Sequence, residues 1–366
     1  MYLPALPVLQ AVWHESLATV NLTLIVFLVT YCVFMLLYGP LSDRVGRRGP
    51  LLVGISVYVA ASLACALSGG VWVMIGFRAL QAAGAAAGTA LALAIAKDMF
   101  QARQRAQVIA YVSVIIALAP MLAPIIGGWI MTVATWPYIF VAQAAMGGVA
   151  LVAVWFMDEP LKVYSDEPLS RSFSAYARLL VNRRFMGLNL ATALLSLPTF
   201  AFIAGSADIY ITRFGLSETT FGYFFAFNAL SLMSGSYLFT RLARSFSTRN
   251  LLLFSFGGIL AAGLWMCLSS HTGPWDLALP NWVLGFCAGL SRPPATNLIL
   301  EQVDRDTGSA SSFIAFTFML LGAVGMFIVS LDWGDKITVI GALGFGVGAV
   351  DLGFWLTFRN KFARRR

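Results

Sequence analysis

Eleven stretches of about 20 mostly apolar residues succeed one another along this chain, at roughly 18–38, 50–69, 72–96, 106–131, 136–157, 186–206, 219–240, 249–269, 279–300, 309–330 and 337–358. A run of that length, wound as an α-helix rising 1.5 Å per residue, spans a hydrocarbon layer about 30 Å thick. Inside lipid every backbone N–H and C=O must find a partner within the protein, so such a run is helical or does not span. The pattern predicts an all-α integral membrane protein. Composition agrees: 59% of the 366 residues are hydrophobic and 11% are charged, against about 25% charged in a soluble domain.

The loops between the runs are short, with one exception. Residues 158–185 are polar and carry Asp158, Glu159, Lys162, Asp166, Glu167, Arg171, Arg178, Arg183 and Arg184. They read as a linker between an N-terminal bundle, 1–157, and a C-terminal bundle, 186–366. Of the 24 Lys and Arg, 20 fall on one side of the predicted spans. Arg213 and Lys336 fall on the other, and Arg78 and Arg292 fall inside spans. Cytoplasmic loops collect Lys and Arg, so the basic side and the C-terminus are expected in the cytoplasm. The net charge of +8 therefore points to membrane topology and not to nucleic acid. Cys32, Cys65, Cys267 and Cys287 lie in apolar runs without metal-ligand spacing, and no cofactor is implied. His14 and His271 fall in loops or at helix ends, where an isolated histidine is usually a surface residue.

Between the first two runs stands Gly39-Pro-Leu-Ser-Asp43-Arg44-Val-Gly46-Arg47-Arg48. An ordinary basic loop needs Lys and Arg, but not Gly, Asp and Gly at these spacings. The loop resembles the signature loop between helices two and three of the major facilitator superfamily of transporters. Three further segments are similar to the bicyclomycin-resistance (Bcr/CflA) group of drug:proton antiporters. They are Tyr2-Leu-Pro-Ala-Leu-Pro7, Arg78-Ala-Leu-Gln81-Ala-Ala-Gly-Ala-Ala-Ala-Gly88 followed by Lys97-Asp98-Met-Phe100, and Ala119-Pro120-Met-Leu-Ala-Pro124-Ile-Ile-Gly127-Gly128. Ala123 stands where many exporters have Gly. The resemblance covers nearly the whole chain and is strongest over 1–140.

It implies the major facilitator fold: two bundles related by a pseudo-two-fold axis, with eleven full transmembrane helices and the stub of a first. It implies that Asp43 meets the start of the helix near Asp306-Thr307-Gly308-Ser309, and that Arg47 pairs with Asp98. It gives Arg78 a role in proton coupling or substrate response. Alternatively, Arg78 is structural and snorkels to the outer interface. Pro120, Pro124, Gly127 and Gly128 are expected to kink helix five and to make a leak-tight contact between the bundles. Asp208, at the outer end of one run, titrates or is merely interfacial; Asp351 lies well inside another. Arg292, Pro293, Pro294 and Asn297 are expected to interrupt their helix, as polar segments do where they line a cavity. With Asn189, Ser206 and Asn228 they form the expected cavity wall of the second half, and Tyr2 and Gln81 that of the first. Phe200, Tyr223 and Phe227 are candidate drug contacts.

Residues 1–10 are too short to span and contain Pro4 and Pro7; they read as the outer end of a first helix whose inner part is missing. In the group, the proton-carrying acid is expected just before that segment. Either the start codon lies upstream, or the chain is truncated and inactive, uncoupled or dependent on Asp208. No Gly-x-x-x-x-Gly-Lys-Ser/Thr loop for ATP occurs, and no enzyme chemistry is legible. The expected function is efflux of a small, mostly apolar drug in exchange for protons across the bacterial inner membrane. Expected partners are drug, protons and lipid, with the chain a monomer. The alternatives are a proton-coupled metabolite symporter and a transport-dead membrane protein that binds a ligand or partner.

Overall fold

The computed structural model describes residues 1–162, 164, 169–303 and 307–362; the side chains at 102, 103, 106, 110, 113, 117, 169–173, 307 and 358–362 are not described. A 3₁₀ turn, Leu3–Ala5, leads into α1 (Leu6–Trp13), α2 (Leu17–Val45), α3 (Arg48–Ala66), α4 (Val71–Met99), α5 (Ala102–Val133) and α6 (Pro137–Trp155). Then come α7 (Leu169–Val181), α8 (Arg183–Ala193), α9 (Ser196–Ala207) with a π-helical turn Asp208–Arg213, α10 (Glu218–Leu242), α11 (Thr248–Leu268), α12 (Trp275–Leu300), α13 (Thr307–Ser330) and α14 (Lys336–Phe362). No strand occurs among the described residues. The chain forms two compact units, Met1–Ala177 and Arg178–Arg366.

Helix starts follow from local chemistry. Ser16, Asn182, Ser217 and Ser247 each accept a hydrogen bond from the backbone N–H three residues on, at 3.1, 3.2, 3.2 and 3.3 Å. An N-cap of this kind satisfies one of the donors that a helix start leaves open. Pro4 and Pro7, whose presence in the sequence disfavours a continuous helix, do not prevent a 3₁₀ turn and α1 from forming there. They stand in the first turns of the 3₁₀ segment and of α1, where no N–H is needed.

Among the described residues eight helical segments are long and apolar enough to cross a membrane by themselves, and the bent α5 makes nine. The less apolar α10 and α12 coincide with the two remaining expected runs. Two spans differ from expectation. The run at 186–206 extends over 183–213 and is broken between α8 and α9. Pro198 has no N–H to return to the Leu194 carbonyl, which instead accepts from Leu197 N at 2.9 Å. Conversely, α12 is not interrupted at Arg292–Asn297 but runs through Pro293 and Pro294 to Leu300. The carbonyl that Pro293 strands belongs to Gly289, and the Ser236 hydroxyl of α10 donates to it at 3.1 Å. A side chain from the neighbouring helix thus replaces the lost bond.

In the first unit α4 packs on α2 and α3, and α3 on α6; in the second, α10 packs on α12, α11 on α14 and α12, and α13 on α9. Lipid supplies no hydrophobic drive between helices, so close contact comes from small residues. A Cβ on Gly84 would lie 2.5 Å from Tyr58 N of α3, and one on Gly235 would run into the Phe286 carbonyl of α12. Replacing Gly235 with Val should lower stability by about 1–3 kcal/mol, as overpacking does. The check is a thermal denaturation curve in detergent, in which the variant melts below the parent.

Candidate functional site

Three sets of side chains concentrate the chemistry. The first is the signature loop. Gly46 ends α2 with φ +98°, a conformation that disfavours any side chain. A Cβ there would also lie 2.6 Å from Glu159 Oε2. Arg47 is buried and its guanidinium converges on Asp43 Oδ1 at 2.6 Å, Asp98 Oδ2 at 2.9 Å and Ser42 Oγ at 2.6 Å. The Arg47–Asp98 pair that the resemblance implies is therefore present. Arg48 turns away and donates to the carbonyls of Trp155 (2.5 Å) and Val154 (3.5 Å) at the end of α6. Arg44 is exposed, and Gly39 has open space where a Cβ would stand. The expected meeting of Asp43 with the helix start near Asp306 falls on residues outside the described set.

Glu159 is the member that sequence reasoning missed. Its carboxylate accepts from the backbone N–H of Arg47 (2.7 Å), Arg48 (3.0 Å) and Leu161 (3.0 Å). An arginine in the first turn of α3 opposes the helix dipole, and the acid compensates it. Partial burial works to raise the Glu159 pKa. The three N–H donors and the Arg47 charge outweigh it and hold the group below the usual carboxylate value.

The second set surrounds Arg78 in α4, which is 6% exposed and does not reach toward water. Its Nη1 donates to Gln81 Oε1 at 2.5 Å and its Nε to the Thr23 carbonyl at 3.3 Å. Gln81 Nε2 donates to Ser62 Oγ at 2.8 Å and to Gln143 Oε1 of α6 at 2.9 Å. The guanidinium carbon lies 4.1 Å from the ring centre of Phe27 and 5.0 Å from that of Tyr2. Tyr2 in turn shares a 3.0 Å hydrogen bond with Thr23 Oγ1. These groups line a cavity of about 320 Å³ in the first unit, together with Tyr58, Ala123 and Met146. A cation faced by aromatic rings and amide oxygens, with no carboxylate in contact among the described residues, can bind an acceptor or respond to a charge brought beside it. Gln143 and Tyr58, on other helices, had no sequence signal.

α5 is bent by 40° between Ile116 and Leu118, next to the carbonyl that Pro120 leaves without its helical donor. Pro124, Gly127 and Gly128 are buried, and a Cβ on Gly127 would collide with the Met1 carbonyl.

The third set lines a cavity of about 280 Å³ in the second unit, which includes Asn189, Thr192, Arg292, Thr296, Ser311 and Phe318. Asn189 donates to Thr317 Oγ1 at 3.0 Å, and the Arg292 guanidinium lies 4.3 Å from the Phe318 ring centre. The other expected wall residues stand elsewhere. Ser206 is fully buried against the Ile203 carbonyl at 3.2 Å. Asn228 accepts from Asn281 at 2.9 Å in the α10–α12 contact. Asn297 is exposed and does not line the cavity.

Asp208 belongs to none of these sets. It pairs with Lys336 at 2.5 Å at the end of the second unit opposite the C-terminus. Beside it on the π turn, Arg213 pairs with Asp335, whose other oxygen meets His271 Nδ1. His271 is thus a hydrogen-bond partner of Asp335 with a largely buried side chain, and not the surface residue expected. Burial opposes ionisation of Asp335, but bonds from Thr338, Arg213, Ile337 N–H and His271 bring its pKa down to about 2.

The family model described as the Major Facilitator Superfamily matches residues 1–326. The chain belongs to the major facilitator superfamily. Among relatives of this superfamily member, a Bacillus subtilis protein called "Uncharacterized MFS-type transporter YdgK" is 30% identical over 94% of this chain and 90% of its own. "Multidrug resistance protein D" of Escherichia coli is 30% identical over 86% and 80%, and the "Bicyclomycin resistance protein homolog" of Haemophilus influenzae is 26% identical over 100% and 93%. The fold matches the crystal structure of a D-xylose-proton symporter with a TM-score of 0.72 at 15% identity, covering 99% of this chain and 94% of that one. A bacterial homolog of the human lysosomal transporter Spinster matches at 0.69 and 17%, over 99% and 91%. The superfamily is one of transporters, and the chain is a multi-pass membrane protein.

The Glu159 clamp has a definite pH sign. Its folded pKa is depressed, so its contribution is complete above the ordinary carboxylate value of about 4.3 and is lost as pH falls through the folded value. Hydrogen exchange of the amides of Arg47 and Arg48 should be slow at neutral pH and should accelerate in Glu159→Gln, in which the charged acceptor is gone. Equal exchange rates in the two proteins would remove the clamp.

Proposed function

We propose that this superfamily member exports small, mostly apolar drug molecules in exchange for protons, by alternating access, and belongs to the bicyclomycin-resistance group. The observation that carries the reading is the Arg78–Gln81–Gln143 network. It is a buried cation bonded to one side-chain amide, which in turn bonds a second, set in an aromatic-walled cavity within an apolar helix. Burying a guanidinium in a membrane helix costs at least a few kcal/mol, so a fold that keeps one there uses it. Rings and methylene groups hold an apolar body, and a few convergent polar groups fix its orientation. Relatives named for resistance to bicyclomycin and to multiple drugs support the substrate class.

In this reading the signature loop and the C-terminus face the bacterial cytoplasm, the chain works as a monomer, and Arg47, Asp43 and Asp98 hold the cytoplasmic ends of α2 and α4 together. Coupling needs a group that changes charge, and Arg78 senses that change.

The test is expression in a bacterium lacking its own drug pumps. The parent chain should raise tolerance to bicyclomycin or chloramphenicol at least fourfold over empty vector, and should lower retained drug while a proton gradient is present. Arg78→Ala should lose that tolerance, and Arg78→Lys should regain little, because a point charge cannot serve Thr23 and Gln81 at once. Increased retention of drug would indicate uptake and sink the export reading. A second expectation concerns the loop: Asp43→Asn should reduce transport without reducing the amount of protein in the membrane, as measured by immunoblot.

A further inference from the structure

Asp351 of α14 is 1% exposed, and neither carboxyl oxygen has a hydrogen-bond partner among the described residues. It faces a chamber of about 10 Å³ whose walls include Leu188 and Thr192 of α8, Phe256 of α11, Ala295 and Leu298 of α12, and Trp355 of α14. That is room for about one water molecule. Thr192 and Ala295 also line the 280 Å³ cavity that holds Arg292. The acid and the cavity are therefore separated by one layer of side chains. The Thr192 hydroxyl donates to the Leu188 carbonyl at 2.9 Å, which leaves its oxygen free to accept from the chamber side.

Among the described residues, no other titratable side chain from α8, α11, α12 or α14 lines the chamber. On α12, Arg292 lines the neighbouring cavity. Arg183 and Arg184 of α8 and Arg249 of α11 are exposed at their helix starts. A carboxylate charge in this chamber would keep its whole desolvation cost with nothing to offset it. The small chamber therefore accommodates the neutral acid, which can donate to a single water. Opening the shared wall would place the carboxyl in the space that contains the Arg292 guanidinium, where the charged form is favoured.

We propose that Asp351 is the proton-carrying group of this chain, with Thr192 and Ala295 as the wall that separates it from the cavity. On release the O–H bond breaks, its electron pair stays on the carboxylate oxygen, and the proton passes to water in the cavity; reloading is the reverse. The coupling of this proton to a substrate rests on the antiport reading above, whereas the protonation itself does not.

Two measurements separate these. The purified full chain in lipid nanodiscs should show an infrared band of a protonated carboxylic acid at neutral pH that disappears on alkalinisation. The band should vanish in Asp351→Asn and shift in Asp351→Glu, but persist in Asp208→Asn, whose acid is ion-paired to Lys336. A parent chain without such a band, or a band lost in Asp208→Asn and kept in Asp351→Asn, would overturn the proposal. In proteoliposomes with chloramphenicol as the probe, Asp351→Asn should keep exchange of labelled for unlabelled drug while losing proton-driven accumulation at least tenfold. Unimpaired proton-driven accumulation in that variant would also overturn it. If the parent moves no chloramphenicol, the antiport reading loses its support for that drug, and the infrared band still decides the role of Asp351.

Discussion

The exclusion of water from the bilayer governs this structure. With no solvent to take up a stray N–H or C=O, every backbone irregularity must be repaired by a protein group. Where Pro293 removes a donor inside α12, Ser236 of α10 supplies one to Gly289. Where Pro198 does the same after α8, the helix breaks and Leu197 closes a tighter turn on Leu194. Charged groups obey the same rule more severely. Arg47 is surrounded by two carboxylates and a hydroxyl, and Arg78 by a carbonyl, an amide oxygen and two aromatic rings.

Against that background the two buried ionisable sites of the membrane interior differ in kind. Arg78 is wired into the helices around it, and its cation has several ways to be satisfied. Asp351 is not wired at all. One is built to stay charged, and the other has the surroundings of a group that exchanges its proton.

Long-range periodicity was the easily read part of the sequence. Each of the eleven apolar runs falls on a helix or a helix pair, and among the described residues nine of these are long and apolar enough to cross a membrane, because the bilayer fixes both their length and their secondary structure. The Gly-Asp-Arg-Gly spacing of the loop carried the resemblance that implied the Arg47–Asp98 pair, although those two residues lie 51 positions apart. Long-range contacts outside that resemblance left no such trace. Glu159 lies 112 positions from Arg47, Gln143 lies 62 from Gln81, and His271 lies 64 from Asp335. An acid in a polar linker and a lone histidine look the same whether they are solvated or clamped. Proline was misread in both directions, because its effect depends on whether a neighbour replaces the missing bond. Of the expected wall of the second unit's cavity, Asn189 and Arg292 line it, and the rest do not for a related reason: which face of a helix Ser206, Asn228 or Asn297 presents depends on the rotation of that helix.

Glu159 ties the exit of α6 to the entry of α3, while Arg47 ties the end of α2 to the end of α4. Four helix ends are thereby knotted at a single point, so this rim of the first unit must travel as one piece. The polypeptide leaving it departs from a fixed peg at Leu161.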